Sequence, residues 1–143
     1  MRYLVATDGS KEGDEAVRYA ARHATALDAT LEIVHVVIPE TQLVGEELVV
    51  QDRATAAEDG RHTLEHATEL ATDIAQEDEV ELTVETQLLT GRPAEAIADH
   101  ATAVDATAVY VGHRGLSSKQ EEVVGSVAKS VVSKATVPVT VVR

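Results

Sequence analysis

The amino-acid sequence predicts an α/β fold, a three-layer open sandwich in which four helices cover both faces of a five-stranded parallel sheet. Two observations lead to this prediction. Short runs rich in Val, Ile and Leu alternate along the chain with longer segments whose apolar residues recur at helical spacing. The 143 residues also contain no internal repeat and no linker-like stretch, so we expect a single domain over residues 1–143.

The first half of the chain contains two predicted strands and two predicted helices. Residues 2–7 form a strand-like run, and Ser10 behind it is of a type that caps helices. A second strand-like run, residues 30–38, leads into an irregular connection over 39–52 and a long helix over 53–77. The apolar residues at helical spacing are Ala16, Val17, Ala20, Ala24 and Leu27 in the first helix and Leu64, Ala67, Ala71 and Ile74 in the second.

The second half of the chain repeats this alternation with shorter segments. Residues 80–89 alternate between apolar and polar side chains, as in a strand with one wetter face. A helix is predicted over 94–104 and a strand over 107–111. A last helix over 126–135 and the β-branched strand Val137–Val142 complete the pattern.

The composition of the chain is strongly acidic. Asp and Glu number 25 against 12 Lys and Arg, and the formal net charge of −13 argues against nucleic acid or an anionic membrane as a partner. Only four of the cations are lysines. Such a surface repels itself at low salt, whereas at molar salt the Debye length falls to about 3 Å. We interpret the charge as adaptation to a salt-rich cytosol, as in halophilic archaea; an acidic protein of an ordinary cytosol is the alternative.

The composition also narrows the cellular setting. The chain has no cysteine, which excludes disulfides and thiolate chemistry. It opens on the strand-like Tyr3-Leu4-Val5-Ala6 rather than on a basic and then apolar leader. No apolar segment approaches the roughly 20 residues that cross a bilayer. We therefore expect a cytoplasmic protein without a membrane partner.

Two predicted strands end in residues that suit an anion. The first ends at Ala6-Thr7-Asp8, the fourth ends at Gly112-His113-Arg114-Gly115, and nine residues later Gly125-Ser126 begins a helix. Glycine lets backbone N–H groups approach a phosphate, and a helix start adds unpaired N–H donors. A nearby carboxylate can hold a ribose hydroxyl or a phosphate-bound Mg²⁺. The same glycines are also ordinary turn and helix-start residues, so the pattern alone does not name a ligand.

The stretch Gly112-His113-Arg114-Gly115, nine residues and Gly125-Ser126 resembles the Gly-x-x-Gly-(nine)-Gly-Ser/Thr signature of the ATP-binding branch of the universal stress protein family. The opening Tyr3–Ser10 resembles the first strand of that family and its aspartate. Gly91-Arg92-Pro93-Ala94 resembles the entry to its third helix, and Val137-Pro138-Val139 its C-terminal pattern. The resemblance covers essentially the whole chain.

This resemblance implies a Rossmann-like, adenine-nucleotide α-hydrolase-like fold with strand order 3-2-1-4-5, and it implies ATP or another adenine nucleotide, with Mg²⁺, as the ligand. Adenine would lie near Ala6 and Val36, and Asp8 would face the ribose or the metal. The loop from Gly112 would wrap the ribose and phosphates, and the start of the last helix would supply N–H donors. The implied nucleotide-binding residues are Ala6, Thr7, Asp8, Val36, Gly112, His113, Arg114, Gly115, Leu116, Ser117, Ser118, Gly125, Ser126, Val127 and Ala128.

The resemblance further implies an ATP-binding regulator of the stress response that acts as a dimeric switch. Val137–Val142 would pair antiparallel with its copy in a homodimer, and a regulatory protein would be a further partner. An enzyme is disfavoured, because the chain has no P-loop Lys-Ser/Thr pair and no evident base. Two alternatives stay open: a slow ATPase or nucleotide hydrolase, and a scaffold dimer that no longer binds nucleotide. The intact glycine signature argues against the scaffold, whereas Glu121 and Glu122, two acids in the glycine loop, favour it.

Several histidines allow other interpretations. His62-Thr63-Leu64-Glu65-His66 matches the His-x-x-Glu-His pattern of inverted zinc proteases. Both histidines lie opposite the apolar face of the predicted helix, so we predict solvated side chains rather than zinc ligands. We expect His113 either to contact phosphate or ribose or to be solvated, and His35 to make ordinary polar contacts in its strand.

Overall fold

The computed structural model describes residues 1–38, 41–44, 47–50, 53–114 and 124–143. Within these residues seven strands and four helices follow one another along the chain. The strands are β1 (Arg2–Ala6), β2 (Thr30–Val37), β3 (Thr41–Val44), β4 (Glu47–Val50), β5 (Val84–Thr90), β6 (Ala108–Gly112) and β7 (Val139–Val142). The helices are α1 (Lys11–Ala26), α2 (Arg53–Glu77), α3 (Pro93–Ala103) and α4 (Ser126–Lys134).

Five of these strands form one parallel sheet in the order β5-β2-β1-β6-β7. β1 pairs with β2 on one side, where Ala6 is opposite Val34, and with β6 on the other side, where Ala6 is opposite Val111. When the strands of this sheet are numbered along the chain, their order is 3-2-1-4-5. The predicted α/β fold is therefore confirmed.

The segment that was predicted as an irregular connection over 39–52 contains a β-hairpin instead. β3 and β4 pair antiparallel, with Leu43 opposite Leu48 and Thr41 opposite Val50. The prediction was wrong because each strand is only four residues long and polar residues interrupt the aliphatic ones. Two short, aliphatic-rich runs separated by two residues are the sequence signal of such a hairpin.

Two strands begin at least two residues later than the sequence predicted. β5 begins at Val84 rather than at residue 80, and β7 begins at Val139 rather than at Val137. Glu79, with a φ of 54°, turns the chain after α2. Leu82 then packs against the core without joining the sheet. Because Leu82 is partly buried, the alternation of apolar and polar residues begins before the first paired residue of β5. The sequence therefore predicted too early a start for this strand.

The helices cover the two faces of the sheet in pairs. One core cluster joins α1 and α2 to one face and includes Val17, Ile33 and Leu64. The other joins α3 and α4 to the opposite face and includes Ile97 and Val131. Because both faces are covered, the central strands have nearly continuous apolar runs. In the described part of the chain, no helix is long and apolar enough to cross a membrane.

Candidate functional site

The strand order of the sheet reverses between β1 and β6, because the earlier strands lie on one side of β1 and the later strands on the other. From β1 the chain passes to α1 on one face, and from β6 it passes to α4 on the other face. Ala6 and Val111 are paired near the carboxyl ends of these two strands. Because the connections leave in opposite directions, a crevice remains between the strand ends, and open α/β sheets bind ligands at this position.

The turn after β1 is held by side chains that bond to its own backbone. The N–H of Gly9 donates to Thr7 Oγ1 at 3.2 Å, and the N–H of Ser10 donates to Asp8 Oδ1 at 3.0 Å. Ser10 caps α1, as the sequence predicted, by accepting the N–H of Gly13 at 3.1 Å. Asp8 therefore orders the turn in addition to any contact it makes with a ribose or a metal.

Gly13 is a residue of the site that the sequence analysis missed. A Cβ atom here would lie 2.5 Å from Thr7 Oγ1 and 3.1 Å from Asp8 Oδ1, so the first turn of α1 lies directly against the turn after β1. His35 supports the same turn, because its Nδ1 lies 2.8 Å from the carbonyl oxygen of Thr7. The sequence did offer one indication of this role, because Gly13 stands in the first turn of a predicted helix, where alanine is the better helix former.

Two of the signature glycines allow close packing between elements. A Cβ atom on Gly112 would lie 2.8 Å from the carbonyl oxygen of Glu12 in α1. A Cβ atom on Gly125 would lie 3.0 Å from the Cα of Arg114. A side chain at either position would therefore push apart the elements that border the crevice, whether or not a ligand is bound.

The start of α4 lies against the end of β6. The N–H of Gly125 donates a hydrogen bond to the carbonyl oxygen of His113. Gly125 is the N-cap residue of α4 and provides no side-chain cap. The N–H groups of Ser126, Val127 and Ala128 have no acceptor within the helix. Ser126 and Val127 are exposed, whereas the side chain of Ala128 is buried, so Ala128 offers only its backbone.

His113 is buried at the end of β6, with 8% of its surface exposed. Its backbone N–H donates to the carbonyl oxygen of Val142 at 2.8 Å. Its Nδ1 is buried and has no hydrogen-bond partner within the described residues. The expectation of a solvated histidine is therefore wrong. A buried ring nitrogen without a partner is destabilising, so a hydrogen bond to this atom would stabilise the site.

Arg114 and Glu12 form an ion pair between the end of β6 and the first turn of α1. The Nε and Nη2 of Arg114 lie 3.0 Å and 2.8 Å from Glu12 Oε1. A hydrogen bond from the backbone N–H of Glu12 itself, and then the hydrogen bond and charge of Arg114, lower the pKa of the Glu12 carboxyl against the opposing effect of burial. Arg114 is thus already paired with an anion, and Glu12 is a site residue that the sequence did not reveal.

The two residues predicted to contact adenine lie on one face of the sheet. Ala6 and Val36 are partly buried and pack with Leu89 against the core cluster under α3 and α4. Val36 is two residues beyond Val34, which is opposite Ala6 in the β1–β2 pairing. The other predicted residues, Gly115, Leu116, Ser117 and Ser118, lie outside the described residues.

His62 and His66 lie on the exposed side of α2, as predicted, with side chains that are 68% and 55% exposed. His62 Nδ1 lies 3.6 Å from Glu65, and His66 Nε2 lies 3.4 Å from Asp14 Oδ2. Among the residues that the structure describes, no group of three or more His, Asp or Glu side chains is arranged to hold a metal ion. These histidines therefore stay outside the candidate site.

The fold and the crevice define a doubly wound α/β protein whose strand ends meet at a switch point. The chain belongs to the universal stress protein family, whose model matches residues 1–143. The universal stress protein YxiE of Bacillus subtilis is 32% identical, in a match that covers 99% of this chain and 98% of the relative. A universal stress protein of Thermus aquaticus is 33% identical, over 98% of this chain and 96% of the relative.

Solved structures of the family share this fold. A universal stress protein in complex with cAMP has a TM-score of 0.76 and 24% identity, over 100% of this chain and 97% of the other. The universal stress protein from Archaeoglobus fulgidus in complex with dAMP has a TM-score of 0.75 and 25% identity, over 100% of this chain and 98% of the other. The five-stranded sheet with its covering helices is thus the common architecture.

Proposed function

We propose that this protein is a nucleotide-binding regulator of the stress response, which binds ATP with Mg²⁺ in the crevice between β1 and β6. The observation that carries the proposal is the start of α4, where Gly125 provides no side-chain cap and, within the described residues, is held against the end of β6 by its hydrogen bond to His113. Unpaired N–H donors and the positive end of a helix attract phosphate. The dAMP complex of the Archaeoglobus relative supports an adenine nucleotide as the class of ligand.

Other groups of the crevice suit the remaining parts of a nucleotide. Ala6 and Val36 offer an apolar surface to adenine. The buried Nδ1 of His113 and the hydroxyl of exposed Ser126 are polar groups for the sugar and the phosphates. Arg114 adds a guanidinium, whose charge is shared with Glu12. The crevice therefore combines an apolar surface with donors for an anion.

Asp8 is the proposed contact for Mg²⁺. A phosphate-bound Mg²⁺ keeps several water ligands and needs only one or two protein carboxylates. A single acidic residue at the carboxyl end of β1 therefore suffices, without a larger cluster. Asp8 Oδ1 also accepts the N–H of Ser10 at 3.0 Å. The metal would share this carboxylate with the turn.

The regulatory part of the proposal is a homodimer formed through Val137–Val142. β7 is an edge strand of the sheet, and the carbonyl groups of Pro138 and Val142 accept hydrogen bonds from β6 and the residue that follows it. Because backbone groups alternate in direction along a strand, those of Val139 and Val141 point to the outer edge, where an antiparallel second copy would pair with them. Nucleotide binding would shift the conformations beside α4 and change the surface that is offered to a regulatory protein.

Calorimetric titration of ATP with Mg²⁺ in molar KCl tests the proposal, after any bound nucleotide has been stripped. Ser126→Asp places a carboxylate at the start of α4, where it takes up the helix donors and repels phosphate. Ser133→Asp, at an exposed serine in the last turn of the same helix, is the matched control. An aspartate at a helix start stabilises the helix, so a loss of binding in Ser126→Asp would not come from unfolding.

We expect ATP to bind the wild type and Ser133→Asp with similar affinity, and to bind Ser126→Asp at least about tenfold more weakly. Equal affinities in the two variants would exclude the start of α4 as the phosphate site. Failure of the stripped wild type to bind ATP would favour the ligand-free scaffold. Turnover of ATP in the same samples would favour the slow hydrolase.

A further inference from the structure

Glu12 is an acidic residue beside a crevice that is proposed to bind phosphate. Its carboxylate forms an ion pair with Arg114, whose Cα lies against Gly125 at the start of α4. We propose that Glu12 determines how many phosphate groups the crevice accepts, because its carboxylate competes with the ligand for Arg114. This inference rests on the proposed nucleotide binding, and it adds the residue that discriminates between mono-, di- and triphosphates.

The position of the ion pair follows from the packing of two glycines. The backbone of Glu12 lies against Gly112, where a Cβ atom would be 2.8 Å from its carbonyl oxygen. The backbone of Arg114 lies against Gly125, the N-cap residue of α4. The ion pair therefore connects the first turn of α1, through Arg114, to the start of α4. Both of these helix starts border the crevice.

The negative charge of Glu12 is fixed at this position. The bond from its own backbone N–H, followed by the bond and charge of Arg114, lowers its pKa, and a carboxyl with a lowered pKa stays ionised throughout the neutral range. Its side chain is 16% exposed, so salt screens this charge less than it screens the charge of a surface acid. A phosphate that approaches Arg114 therefore meets an anion that is already bound there.

The effect of this anion grows with the charge of the ligand. AMP brings one phosphate group to the crevice, whereas ADP and ATP bring additional negative charge to the same region. Unit charges several ångströms apart in partly buried surroundings repel strongly enough to change an affinity by about five- to tenfold. Glu12 therefore opposes ATP more than ADP, and ADP more than AMP.

Titration of AMP, ADP and ATP in the absence of Mg²⁺ tests this inference, at the lowest KCl concentration at which the protein stays folded. Glu12→Gln removes the charge and keeps an oxygen that can accept from Arg114. Glu15→Gln is the matched control, because Glu15 lies one turn further along α1 and pairs with Arg18 at 3.0 Å. Both variants lose one negative charge from the same helix, and only one of them loses it beside Arg114.

We expect Glu12→Gln to raise the affinity for ATP by about five- to tenfold, the affinity for ADP by less and that for AMP least. Glu15→Gln should leave the ratios between the three ligands unchanged. If Glu12→Gln changes all three affinities by one factor, or lowers them, the inference is wrong while the proposed nucleotide binding stands. If neither the wild type nor Glu12→Gln binds any of the three, both are wrong.

A second neutral variant keeps the inference testable if Glu12→Gln does not fold. Glu12→Met has a similar length and no charge, and it should change the ratio of ATP to AMP affinity in the same direction. If Glu12 had a purely structural role, its replacement would lower the affinities for all three ligands by the same factor and leave this ratio constant. An unchanged ratio in the folded variant would therefore overturn the inference.

Discussion

The Nη1 atom of Arg2 lies 2.7 Å from a carboxylate oxygen of Glu32, at the end of the sheet opposite to the crevice. The side chain of Glu32 is only 6% exposed, and it belongs to the apolar strand β2. Its other carboxylate oxygen contacts Nε2 of His100 in α3, and Arg2 also lies 2.5 Å from Glu85 in β5. This cluster joins three strands and a helix through their charged side chains.

Breaking this cluster at Arg2 should destabilise the protein more than breaking an exposed ion pair. Arg2→Met leaves the buried carboxylate of Glu32 with His100 alone, and such a loss from a buried pair costs about 3 kcal/mol. Arg18→Met removes a pair with Glu15 whose side chains are 34% and 46% exposed, which is worth at most about 1 kcal/mol. Urea unfolding in molar KCl measures both free energies, and equal losses in the two variants would contradict the expectation.

The same cluster shows how far the sequence could predict the fold. Apolar runs and helical spacing are local features, so they were sufficient to predict the alternation of strands and helices. Glu32 lies within a run that reads as a buried strand, and its partners Arg2 and His100 are 30 and 68 residues away. No local pattern reveals such pairs, because they depend on which strands and helices become neighbours.

The candidate site was predictable to a similar extent. Asp8 and Gly125 stand out locally, because one follows a strand and the other precedes a helix. Glu12 was missed because its partner Arg114 lies 102 residues further along the chain. Gly13 was missed because a side chain is excluded there only by the close approach of α1 to the turn after β1. No local pattern in the sequence shows that approach.

Val141→Pro should separate the proposed dimer into monomers. The substitution removes an N–H that points to the outer edge of β7, and it leaves the residues that bond to β6 in place. Thr86→Pro is the matched control on β5, the other edge strand, because Thr83 and Gly91 bond to β2 and Thr86 therefore points outward. Sedimentation at micromolar concentration in molar KCl should show dimers of the wild type and of Thr86→Pro. A monomeric wild type, or a dimeric Val141→Pro, would exclude this interface.

Salt should stabilise the folded chain. At a formal net charge of −13, the repulsion between acidic side chains opposes the compact state when ions are scarce. At molar KCl the Debye length falls to about 3 Å, and the melting temperature should rise by roughly 5–10 °C. Sucrose of equal osmolality is the control, because it favours compact states without screening charge. A melting temperature that rises equally in both, or that stays constant in KCl, would contradict the interpretation of the acidic surface as an adaptation to high salt.

Asp8→Asn should remove the Mg²⁺ dependence of ATP binding and leave the turn after β1 intact. Asn keeps an oxygen for the N–H of Ser10, which lies 3.0 Å from Asp8 Oδ1, but it lacks the charge that a hard cation prefers. Asp8→Ala would lose both contacts and could not separate them.

Asp28→Asn is the matched control beyond the other end of α1, at an exposed residue whose φ of 52° suits Asn. In titrations with and without Mg²⁺, the wild type and Asp28→Asn should bind ATP about tenfold more tightly with the metal, whereas Asp8→Asn should bind equally in both conditions. A Mg²⁺ effect that persists in Asp8→Asn would mean that phosphates and water hold the metal, and that Asp8 serves the turn alone.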